Sequence, residues 1–119
     1  PRRRAETRAK MGAAEEKQLK VKVGVIRRTA KEHASYEKEI STQQDKIEKM
    51  KAEEKDFHDI KQQDEVLKEA QACLGDAKRR LDAAVEELEE FLKVEGEGLQ
   101  EAPDMEEAKA LLATHAPKE

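Results

Sequence analysis

At 119 residues, with 44% charged and 3% aromatic side chains and a mean hydropathy of −1.02, the chain has room for one domain and too little apolar material for a thick globular core. No uncharged apolar run approaches the ~20 residues a bilayer span needs, no apolar segment follows the N-terminal arginines as a signal peptide requires, and the single cysteine, Cys73, excludes an intramolecular disulfide. A net charge of −4 is spread unevenly: Glu15 to Lys31 holds six basic and two acidic residues, Glu86 to Glu119 eleven acidic and three basic.

Aliphatic residues and Phe number only 21, which alone suggests disorder. Against this, Ala, Glu, Lys, Arg and Leu make up 71 of the residues, and the apolar positions recur with a period near 3.5, the pattern of long packed helices. The expected fold is all-α: an elongated three-helix bundle of two long antiparallel coiled-coil helices plus a shorter C-terminal helix. The chain is expected to be soluble and intracellular.

Residues 1–12 open with PRRRAETRAK, five positive charges against one negative and no large apolar side chain, ahead of Met11-Gly12. They read as a disordered leader or a cloning remnant. The competing reading, a nucleic-acid arm, calls for a continuous basic helix, which Gly12, Glu15 and Glu16 interrupt. The bundle is then assigned to residues 13–119.

A first helix is predicted over about 13–54, with seam positions at Leu19, Val23, Ile26, Ala30, His33, Tyr36, Ile40, Gln43, Ile47 and Met50. Two successive three-residue steps around His33 rotate the stripe locally. Gly24 costs about 1 kcal/mol relative to Ala inside this helix. The alternating valines of KVKVGVIRR (Lys20–Arg28) invite a strand, but there is no turn signal and no second strand to pair with.

EEKDFHD (Glu53–Asp59) reads as the turn, with Asp59 and Gln62 as a capping box and Phe57 packed over the helix start. A second helix over about 59–93 carries Ile60, Gln63, Leu67, Ala70, Leu74, Ala77, Leu81, Ala84, Leu88 and Phe91 in unbroken heptad phase. Cys73 lies beside this seam as a partly buried, inert thiol, and Gly75-Asp76 marks a soft point in a helix that continues. After Val94, VEGEGLQEAPD predicts a loop. A third helix over about 103–116 follows, opened by an Asp104/Glu107 capping box and striped by Met105, Ala108, Leu111, Leu112 and His115. It covers one end of the hairpin and leaves the other a bare pair. An antiparallel hairpin also brings the basic segment beside the acidic one, so part of the charge segregation is expected to be internal pairing, of small value per exposed pair.

No nucleophile elbow, phosphate-binding glycine loop, zinc-spaced cysteine set or HExxH motif occurs. His33 and His115 fall on apolar stripes and read as semi-buried. His58, between Asp56 and Asp59, makes a poor metal site with one imidazole and two carboxylates near a helix start. Tyr36 is read two ways, as a seam residue or as an exposed contact anchor. What remains is a helical protein that acts through its outer faces.

KVKVGVIRR (Lys20–Arg28), YEKEI (Tyr36–Ile40), KIEKMKAEE (Lys46–Glu54), DIKQQ (Asp59–Gln63) and RRLDAA (Arg79–Ala84) together resemble the tubulin-specific chaperone A, or tubulin-folding cofactor A, family. The likeness runs in order from about Leu19 to Leu92 and fades across the third helix. It departs at Gly75, where the family places a helix-bending proline. The resemblance implies a cofactor that needs no nucleotide, captures quasi-native beta-tubulin and holds it on the way to the alpha/beta heterodimer. Such a protein is cytoplasmic and cytoskeleton-associated, with other tubulin-folding cofactors as further partners, no nucleic acid and no membrane. The expected binding residues are Tyr36, Lys38, Glu39, Lys46 and Lys49 on the first helix and Lys61, Lys68, Arg79 and Arg80 on the second. No catalytic, cofactor-binding or metal-ligating residue is assigned. The free chain is expected as a monomer or a homodimer. The alternative is a structural coiled-coil adaptor that pairs with another helical protein or with itself.

Overall fold

The computed structural model describes the backbone of residues 2–116 and the side chains of residues 12–116. The leader expected over 1–12 falls almost wholly outside the described side chains. Three α-helices and one 3-10 turn make up the described chain: α1 (Arg2–Ala52), α2 (Phe57–Glu95), the 3-10 turn Gly96–Leu99, and α3 (Met105–His115). By packing it divides into two units, Pro1–Arg28 with Leu81–Glu119, and Thr29–Arg80.

In the unit of α1's start, α2's end and α3, the heptad residues Leu19, Val23, Ile26, Leu81, Ala84 and Leu88 are buried, as periodicity requires. Val85, Leu99, Ala102, Met105 and Ala108 complete this core, supplied by a second stripe on α2, the 3-10 turn, the link that follows it and α3. The glycine-containing stretch expected as a loop is therefore a core element. Its tight 3-10 turn lets Leu99 point inward, and the Ala102 N–H donates to the Leu99 carbonyl at 2.9 Å. The capping box expected at α3 does not form. Asp104 has αR backbone angles (φ −88°, ψ −5°), whereas a capping side chain needs an extended backbone, and no cap hydrogen bond is made. Glu107 is instead taken by Arg27, whose Nε and Nη2 donate to its two oxygens at 2.7 and 2.8 Å. Lys22 pairs with Glu87 at 2.7 Å and lies over the Phe91 ring, 5.4 Å from its centre. The basic and acidic segments thus meet as expected.

The Thr29–Arg80 unit is a helix pair. Ile47, Ala70 and Ala77 are its buried apolar residues, while Tyr36, Ile40, Ile60, Leu67 and Leu74 are half-buried along the same seams. Partners run Glu32 to Arg80 and Gln43 to Gln63, so the two helices are antiparallel. α2 continues through Gly75 without a break.

The turn between α1 and α2 departs from the expected chemistry at the start of α2. α1 closes with the Lys55 N–H on the Met50 carbonyl at 3.0 Å and the Glu54 N–H on the Lys51 carbonyl at 3.1 Å, the paired bonds of a Schellman motif. Glu54 holds its left-handed position (φ 55°). α2 is capped by Asp56 rather than Asp59: its Oδ1 accepts from the His58 N–H at 3.0 Å, and the first helical bond runs from Ile60 N–H to the Asp56 carbonyl. Phe57 is then the first helical residue and points outward, 71% exposed, so the expected packing over the helix start is not made.

Candidate functional site

All nine residues expected to bind a partner lie in the Thr29–Arg80 unit. On α1, Lys38 and Lys49 stand eleven residues apart and Glu39 and Lys46 seven apart, spacings that return to one side of a helix. On α2, Lys61, Lys68 and Arg79 follow the same rule and form one outer stripe. These seven and Arg80 are exposed, and Tyr36 is half-buried.

Their pairing separates them. Lys68 meets Glu65 at 3.6 Å, and Arg79 meets Asp76 one turn away, both within α2. Arg80 spans the helix pair: its Nη1 and Nη2 donate to the two Glu32 oxygens at 3.1 and 2.9 Å. These hydrogen bonds hold the Glu32 carboxyl below the usual carboxylate range and the Arg80 guanidinium further up. Lys38, Lys46, Lys49 and Lys61 have no ion-pair partner among the described residues.

Tyr36 falls between its two readings. Its ring sits at the seam while no buried side-chain nitrogen or oxygen among the described residues is left unsatisfied, and the nearby Cys73, then burial and Glu32, hold the phenol above its usual range. Cys73 is half-buried. His33 is half-buried with Nδ1 3.0 Å from Glu37, and His58 is exposed with its ring edge-on to Phe57. No group of His, Cys, Asp and Glu among the described residues could hold a metal ion.

Two polar links were not read from the sequence. Glu32 lies off the apolar stripe, and only the opposing Arg80 reveals its role. Gln43 and Gln63 do occupy seam positions: Gln43 Nε2 donates to the Gln63 carbonyl at 3.0 Å and to its Oε1 at 2.9 Å. A polar pair inside an apolar seam fixes the register of two helices, and the shared seam placement was the available signal. The arrangement presents cations on the outside of a helix pair held in register from within.

This helical frame has close relatives. The family model described as Tubulin binding cofactor A matches residues 14–112. A mouse protein named tubulin-specific chaperone A is 45% identical over 96 residues, covering 81% of this chain and 88% of the relative. The solved structure of human tubulin chaperone cofactor A superposes with a TM-score of 0.74 at 43% identity, over 84% of this chain and 96% of that one. The crystal structure of tubulin folding cofactor A from Arabidopsis thaliana gives 0.77 at 34% identity, over 87% and 96%. With the match reaching from α1 into α3, well beyond the strings that carry the resemblance in sequence, the chain belongs to the tubulin binding cofactor A family.

Proposed function

We propose that this chain is a tubulin-folding cofactor that captures quasi-native beta-tubulin and holds it on the way to the alpha/beta heterodimer, in the cytoplasm and in association with the cytoskeleton, with other tubulin-folding cofactors as further partners. It acts by binding, without catalysis. The observation that carries the reading is the family match over residues 14–112, which takes in the whole helix pair and most of the three-helix unit.

The free cations Lys38, Lys46, Lys49 and Lys61 support the helix pair as the face that meets tubulin, an acidic protein. Unpaired surface charges steer encounter and choose partners more than they add affinity. Lys68 and Arg79 exchange weak intrahelical pairs for partner carboxylates at little cost. Arg80 acts from behind this face, holding α1 against α2 through Glu32, while Tyr36 and Glu39 contribute at its edge.

The test is size-exclusion chromatography with light scattering on the protein mixed with freshly released beta-tubulin. A one-to-one complex is expected. It should weaken by about tenfold in the triple variant Lys38→Gln, Lys46→Gln, Lys61→Gln, with helicity unchanged by circular dichroism. A free protein that dimerises and never joins beta-tubulin would move the assignment to a self-associating coiled-coil adaptor.

A further inference from the structure

A second cationic surface lies in the other unit, and the tubulin reading leaves it unused. A groove of about 430 Å³ runs beside α1, lined by Lys17, Lys20, Val21, Gly24, Arg27, Arg28 and Asp104. Arg27 is occupied by Glu107, whereas Lys17, Lys20 and Arg28 are exposed and have no carboxylate partner among the described residues. Between them Val21 is 57% exposed.

Gly24 gives this groove its form. Side chains on a helix lean toward its N-terminus, so a residue four positions on lies over the earlier one. The Arg28 guanidinium follows that rule: its Nη1 stands 3.3 Å from where a Cβ on residue 24 would be, closer than side chains ordinarily pack. A glycine in the middle of a long helix is unfavourable for the helix itself. Here it leaves a slot beside which the Arg28 guanidinium stands at the groove wall.

We propose that this groove is a docking site for an acidic polypeptide segment, with Arg28, seated over Gly24, receiving one of its carboxylates and Val21 receiving an aliphatic side chain between the charges. Charge complementarity selects the occupant. Three cations with no carboxylate partner among the described residues line a groove in a protein of net charge −4, and Asp104 breaks the cationic run. A continuous phosphate backbone meets repulsion from Asp104 and from the acidic residues after Glu86, whereas a peptide with spaced carboxylates avoids both. This site stands independently of the proposed tubulin face on residues 29–80.

Fluorescence anisotropy tests it with a labelled dodecapeptide of glutamates around a central leucine, against a labelled thymidine dodecamer. The peptide is expected to bind in preference to the oligonucleotide, with affinity falling about tenfold in Arg28→Gln and unchanged in Lys93→Gln, which removes a positive charge elsewhere. Gly24→Ala is the discriminating variant. It should raise the melting temperature, because alanine favours the helix, and yet weaken the peptide about threefold, because the guanidinium loses its seat. Peptide affinity that ignores both Arg28→Gln and Gly24→Ala, or tighter binding of the oligonucleotide, overturns the proposal. So does a dimer of the free protein that dissociates in Arg28→Gln, since the groove would then belong to a second copy.

Discussion

Glu107 shows how one side chain can be claimed by tertiary structure before it serves its own helix. The hydrogen bonds from Arg27 hold its carboxyl below the usual carboxylate range, and Arg80 does the same for Glu32. A carboxylate whose folded-state pKa is depressed contributes stability that is fully present above the unfolded value and is lost as pH falls through the folded one. The melting temperature of Glu107→Gln is therefore expected below that of the unaltered protein at neutral pH, with the gap closing as pH drops through and below the ordinary glutamate range. Thermal melts of both proteins between pH 7 and pH 3 check this. A gap that widens on acidification would contradict the pairing. Salt should also narrow it, because both partners face solvent.

Single elements are decided at their ends. Asp56→Ala should destabilise the protein by about 1 kcal/mol through loss of the α2 cap, while Asp59→Ala, one turn inside, should cost less; chemical denaturation of the two variants separates them. Glu54→Gly should gain about 1 kcal/mol by relieving the left-handed backbone that closes α1. The seams themselves were legible from the sequence, since burial follows a period that residue type already displays: Leu19, Val23 and Ile26 on α1, and Ala77, Leu81 and Leu88 on α2, are buried where the heptads put them. Caps were not legible, because Asp59 and Asp104 have the right chemistry but capping also needs an extended backbone just outside the helix. Leu99 and Ala102 escaped for a related reason: a short 3-10 turn shows no repeat, and its glycines read as a loop. Of the candidate site, the exposure of its basic residues was legible. Which of them are engaged could not be read, because Arg80's partner lies 48 residues away in sequence.

In the whole molecule, apolar burial is unequally shared. The largest fully buried side chains, Leu19, Ile26, Leu88, Val23 and Val85, all belong to the three-helix unit, whereas the Thr29–Arg80 pair closes mostly on half-buried residues and alanines. Amide hydrogen exchange is expected to be faster across the middle of the pair than in 19–28 and 81–92, and equal protection would contradict the inequality. The spacing of the polar links along the chain bears on the order of assembly. Gln43 and Gln63 are 20 residues apart, and Arg27 and Glu107 are 80 apart. Closing a longer stretch of chain carries the greater entropic cost, so the helical hairpin around the Glu54 turn should form first in refolding, with α3 packing into its own unit afterwards. During synthesis the same order follows from the ribosome: α1 and α2 are complete before α3 is made, and for that interval Arg27 lacks the carboxylate that Glu107 of the last helix supplies.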